Sequence, residues 1–181
     1  MKSLTVIFAV FLFFSCNKKE NASGTESDNT NSASSVSLPK GLFVKSLDGA
    51  ISVVDARKLK GGDKVTLKGK VIGASNVFVE NRALMIIGDP SVLTSCDEKP
   101  EDGCETPWDV CCDDEKAIKT STLSVQVLGA DGKILKTGLK GKGGLKELSY
   151  VVIKGTVSKD STMDSMTINA ESIALTTNFK K

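Results

Sequence analysis

The chain of 181 residues contains no histidine. That single absence excludes a Ser-His-Asp triad, a Cys-His dyad, an imidazole general base and any His-ligated metal built from this chain alone. Aromatic residues make up only 5 %, so few side chains are available as stacking platforms. The 24 Lys and Arg nearly balance the 22 Asp and Glu, and a net charge of +2 gives no global pull towards nucleic acid. No C-x-x-C, no EF-hand loop and no G-K-[ST] phosphate loop occurs. Nominal matches to penicillin-recognising motifs exist at Ser37–Lys40, Ser27–Asn29 and Lys136–Gly138, but two of the three fall in a polar tail and in the wrong order. Together these absences argue against an enzyme, and they leave no catalytic residue, cofactor or metal to expect.

The N-terminus is the most legible segment. Lys2 precedes an unbroken run from Leu4 to Phe14, apolar except for Thr5. Eleven helical residues span about 16 Å, well short of a hydrocarbon core of about 30 Å, so the run predicts a secretory signal rather than a membrane span. Phe13-Phe14-Ser15-Cys16 follows directly. It resembles the bacterial lipobox, with Phe in place of the usual Leu, and the resemblance implies a signal peptide over 1–15 and lipidation at Cys16. The next stretch, to Lys40, is rich in Ser, Asn, Thr and Ala and cannot bury enough apolar surface to offset its ordering entropy. Residues 16–40 therefore read as a lipidated cysteine and a flexible tether, about 25–30 Å in r.m.s. span. The expected location is the bacterial cell envelope, facing the periplasm or the exterior, with the membrane as a partner through the anchor.

Residues 41–181 are long enough for a genuine core. Nowhere does a long 3.6-residue period emerge; the pattern alternates. Val65, Leu67 and Val71 oppose Thr66, Lys68 and Lys70, and Leu84 to Ile87 is a short buried run. Leu123, Val125 and Val127 alternate before an Ala130-Asp131-Gly132 turn, and Val151 to Val157 and Met166 to Ala170 predict the last two strands. Gly69 and Gly155 sit mid-strand in the related phrases Leu67–Val71 and Ile153–Val157, which predicts a bulge or sharp bend at each. A Gly-rich connection, Gly138 to Leu148, separates strands three and four and reads as a mobile turn. This order of elements resembles an OB-fold. The predicted fold is all-β: a five-stranded OB-fold-like barrel with a cysteine-rich insertion at 90–120 between strands two and three.

The other cysteines, Cys96, Cys104, Cys111 and Cys112, all lie in that insertion. An exported location and an even count predict two disulfides, with the neighbours Cys111 and Cys112 bonded to different partners. The spacing C-x₇-C-x₆-C-C lacks the close pairs that zinc sites favour. A long loop with few core contacts would then owe its order to cross-links. Thr106-Pro107-Trp108-Asp109-Val110-Cys111-Cys112 resembles a segment of uncharacterised secreted or lipid-anchored OB-like proteins of planctomycetes and related bacteria. That resemblance implies the same architecture and brings no activity with it.

Charge is segregated. Nine acidic residues face Lys99 alone between 96 and 115, giving −8, whereas the rest of 41–181 carries +9. The lysines flanking strand one and the Gly-rich turn predict a basic ligand face of Lys68, Lys70, Lys142 and Lys146. The functional expectation is an exported, lipid-anchored, non-catalytic binding or envelope-structural module for an envelope protein or an anionic polymer. The alternative is an OB-fold nucleic-acid or oligosaccharide binder. Nucleic acid is disfavoured, because Phe78 and Tyr150 are the only ring platforms among the predicted strands and an exported protein seldom meets it.

The anchor is directly testable. Wild-type protein is expected in the detergent phase on phase partitioning, and Cys16→Ser in the aqueous phase. Stable anchoring needs more than one acyl chain, since a single chain binds only marginally. Aqueous partitioning of the wild type would contradict the lipobox reading.

Overall fold

The computed structural model describes residues 37–179. The expected signal peptide, Cys16 and all but the last residues of the tether lie outside the described residues. Six strands form, β1 (Phe43–Val44), β2 (Lys64–Lys70), β3 (Leu84–Gly88), β4 (Thr122–Gln126), β5 (Tyr150–Val157) and β6 (Thr167–Thr176), with two short helices, α1 (Val53–Ala56) and α2 (Glu115–Ser121).

β2 pairs antiparallel with β3 and with β5, and β3 pairs antiparallel with β4. β4 runs parallel to the first half of β6, and β6 closes the ring antiparallel to β5. The five strands β2, β3, β4, β6 and β5 therefore form a closed barrel in OB-fold order. The parallel contact between its third and fifth strands separates it from a simple meander. β1 lies outside the ring, parallel to the second half of β6.

Alternation fills the interior. Leu67, Met85, Ile87, Val125, Ile153 and Ile168 are all fully buried, one or two from each barrel strand. Each is worth about 1.5–3 kcal/mol of transfer free energy relative to exposure. The Gly-rich connection is not a free turn: Leu139 and Leu145, at its two ends, are also fully buried and plant it in the core. Gly141, Gly143 and Gly144 turn the chain between them through positive φ, with one 3₁₀ turn at Lys142–Gly144.

The two mid-strand glycines serve different ends. The β5–β6 register shifts at Lys154/Gly155, where Lys154 faces Ser172 and Gly155 faces Ala170, leaving Glu171 as the extra residue. A Cβ at Gly155 would run into the Asn169 carbonyl. Gly69, by contrast, marks no bulge, because β2 and β5 stay in register from Lys64 to Lys70. A Cβ there would lie 3.0 Å from Ile87 Cδ1, 3.1 Å from the Gly88 oxygen and 3.2 Å from Val53 Cγ2. Gly69 lets β3 and α1 approach the strand closely.

The insertion between β3 and β4 is more structured than a loop. It holds 3₁₀ turns at Cys96–Glu98 and Pro100–Asp102 and ends in α2, whose N-cap Asp114 accepts from Ala117 N at 3.0 Å. Seven helical residues are too few for a period to stand out in sequence.

Gly155→Ala is expected to destabilise the barrel by about 1–3 kcal/mol, the usual range for overpacking. Gly138→Ala, whose new Cβ meets nothing within 4 Å, is expected to be neutral or slightly stabilising. Urea denaturation of both variants checks the contrast.

Candidate functional site

Lys70 is the last residue of β2, opposite Tyr150 on β5 and Gly88 on β3. Its side chain is only 3 % exposed. A buried ammonium is costly unless it is paired and hydrogen-bonded. Here Nζ donates to Ser95 Oγ at 2.8 Å, to Asp97 at 3.2 Å and to Glu98 at 3.1 Å, and lies 5.6 Å from the Tyr150 ring centroid. Lys70 therefore does not belong to a ligand face. It turns inward at the barrel rim and holds the start of the acidic insertion.

A second, smaller apolar cluster supports the same insertion. Ile72, Leu93 and Val110 are buried together, with Trp108, Ala117, Ile118 and Leu148 packed around them. Trp108 also packs against the main core and donates from Nε1 to the Ser75 oxygen at 2.8 Å. Within the insertion, Cys96 N donates to Asp109 O at 2.9 Å, and Asp97 N to Pro107 O at 2.7 Å. Thr94 N donates to the Asp113 carboxylate at 2.7 Å.

Packing and the Lys70 pairs order this segment, rather than the two disulfides expected from the sequence. Cys96 Sγ and Cys111 Sγ stand 3.9 Å apart, against about 2.05 Å for a disulfide. The sulfurs of Cys96, Cys104 and Cys111 instead converge, all within 4.8 Å of one another. Cys96 is buried, Cys104 half-buried and Cys111 exposed, as is Cys112. Burial, with the thiols of Cys104 and Cys111 beside it, pushes the Cys96 thiol up to about 12.

Of the four expected ligand lysines, Lys68 alone lines a large groove. It is a concavity of about 650 Å³ lined by Ser52, Lys68, Asp89, Pro90, Ser91, Tyr150, Asn178 and Phe179. Tyr150 and Phe179 meet edge to face, centroids 5.2 Å apart at 88°, and Lys68 Nζ lies 5.4 Å from the Phe179 centroid. Asp89 is buried, and its carboxylate is occupied by Val54 N at 3.2 Å, Ser91 N at 3.1 Å and Ser91 Oγ at 2.6 Å. Lys142 and Lys146 are exposed on the Gly-rich connection and are not among the residues lining this groove. The expected basic face is thereby split three ways: one lysine buried, one in the groove and two elsewhere. Strand alternation places Lys68 and Lys70 on one side of β2 but cannot reveal that one of them meets carboxylates from a distant loop. Phe179 escaped notice because it follows the last strand, where no alternation marks it.

No family model matches the chain, and neither does any curated protein. Among solved structures, the hypothetical protein ygiW from E. coli is similar at 17 % identity and a TM-score of 0.39, over 71 % of this chain and 91 % of that chain. The OB assignment rests on the closed strand order and on the parallel β4–β6 pair.

Two ways of breaking the Lys70 cluster are expected to differ. Lys70→Met leaves Asp97 and Glu98 at the surface, 33 % and 49 % exposed, where water can take over; the cost should be about 1–2 kcal/mol, discounted for that solvation. The double variant Asp97→Asn/Glu98→Gln strands a buried ammonium and should cost about 3–5 kcal/mol. Denaturant midpoints at constant slope measure the difference. Equal costs would mean that Lys70 reaches solvent.

Proposed function

We propose that the chain is an exported, lipid-anchored, non-catalytic binding module whose barrel receives an anionic saccharide in the Lys68–Tyr150–Phe179 groove. Export and anchoring rest on the Leu4–Phe14 run and on Cys16, followed by the polar stretch to Lys40. No helix among the described residues is long and apolar enough to cross a membrane.

The observation that carries the ligand class is one cation set against two aromatic rings in a groove of about 650 Å³. That volume lies within the common range for small-ligand sites, about 300–1,000 Å³. Lys68 suits a carboxylate, the ring faces suit the C–H surface of a sugar, and Ser52, Ser91 and Asn178 offer hydrogen bonds to hydroxyls. The carboxylate among the lining residues, Asp89, is already held by three donors. It therefore supports a binding role better than acid–base work. A nucleic-acid strand suits the groove less well, since such binders combine a long basic track with successive stacking platforms.

Calorimetry with a uronic-acid oligosaccharide, and separately with oligothymidylate, tests this reading. The saccharide is expected to bind, up to about fivefold more weakly in Lys68→Ala, as for one exposed ionic contact. Phe179→Ala should weaken it about tenfold, as expected for a lost stacking contact of about 1–3 kcal/mol. Lys142→Ala/Lys146→Ala should bind normally. Tighter binding of oligothymidylate with a steep salt dependence would replace the saccharide reading with the nucleic-acid one. Binding of neither probe would remove the groove as a ligand site.

A further inference from the structure

The convergence of Cys96, Cys104 and Cys111 has a geometry of its own, independent of the groove. A disulfide needs its sulfurs about 2.05 Å apart. Thiolates sharing one tetrahedral ion at a metal–sulfur distance of about 2.3 Å stand about 3.8 Å from each other. The observed Cys96–Cys111 separation is 3.9 Å, and Cys104 joins the pair so that all three sulfurs lie within 4.8 Å. Three sulfurs meeting at one point is also the wrong number for a disulfide, which uses two.

The geometry points to a soft-metal site in which Cys96, Cys104 and Cys111 ligate one thiolate-seeking cation, with Zn²⁺ as the representative ion. Thiolate ligands select such ions over hard cations. The three come from separate parts of the insertion, and the spacing between them is wide. Sequence spacing therefore does not advertise the site; the fold assembles it. Cys96 is fixed from both sides. Its amide is bonded to Asp109 O at 2.9 Å, next to the strand of chain that carries Cys111. Its neighbours Ser95, Asp97 and Glu98 are held by Lys70. The ligands run from buried Cys96 through half-buried Cys104 to exposed Cys111, which gives a cation a way in and leaves a further coordination position towards solvent. The insertion's charge of −8 raises the local concentration of cations at that entrance. Binding releases the thiol protons to solvent, and no electron transfer is involved.

Titration of the reduced, folded, full-length chain with Co²⁺ tests the site. The expected result is a sulfur-to-cobalt charge-transfer band that saturates stoichiometrically with the chain and is bleached by Zn²⁺. Cys104→Ser and Cys111→Ser, at a half-buried and an exposed position, should each weaken binding by at least about tenfold with an unchanged circular dichroism spectrum; displaced outer-shell partners alone cost about 10–100-fold. Wild-type protein decides the matter even if a variant fails to fold. Absence of the band in the folded, reduced wild type would overturn the proposal, and so would a band that survives Cys104→Ser and Cys111→Ser unchanged. A Cys96–Cys111 or Cys96–Cys104 disulfide in protein isolated without reductant would overturn it equally.

Discussion

Burial of the Lys70 ammonium is the constraint around which the rest of this domain is arranged. A charge that is 97 % removed from solvent needs fixed counter-charges, and β2 has none to offer. The insertion supplies them through Ser95, Asp97 and Glu98. Because those three flank Cys96, satisfying Lys70 also sets the position of the first sulfur. Lys70 further contacts the Tyr150 ring, and Tyr150 is one wall of the groove that Lys68 enters. One side chain thus links the barrel rim, the cysteine cluster and the candidate ligand groove.

The barrel makes such a pairing available. The antiparallel pair of Lys70 with Gly88 puts the end of β2 beside the start of the insertion that follows β3, although Lys70 and Asp97 are 27 residues apart. The small cluster of Ile72, Leu93 and Val110 then seals the insertion against the rim, with Trp108 spanning it and the main core. The insertion carries −8 against +9 for the rest of the domain. Its own apolar residues and one buried cation hold it there.

Lys70 is committed to the insertion, and Lys140 is paired with Glu147 at 2.5 Å. The groove is lined by one lysine, Lys68, which lies beside the Phe179 ring.

The sequence by itself determined the architecture, because strand alternation is a local property: Val65 and Leu67, Val125, and Val151 and Ile153 point inward in any register that buries them. It also pointed to the irregularity at Gly155, a local signal for which no partner in space is needed. Tertiary structure alone decided what became of the long polar side chains and the cysteines. Lys68 and Lys70 are equivalent in the pattern of β2, yet one lines a groove and the other is buried, since their fates depend on Phe179 and on Asp97 and Glu98. The cysteines have the count and the expected compartment of a disulfide framework, yet three of them meet at one point, since sulfur-to-sulfur distance is set by how Lys70 and Val110 dock the insertion. Local patterns fix which face a residue takes; only the closed barrel fixes what waits on that face.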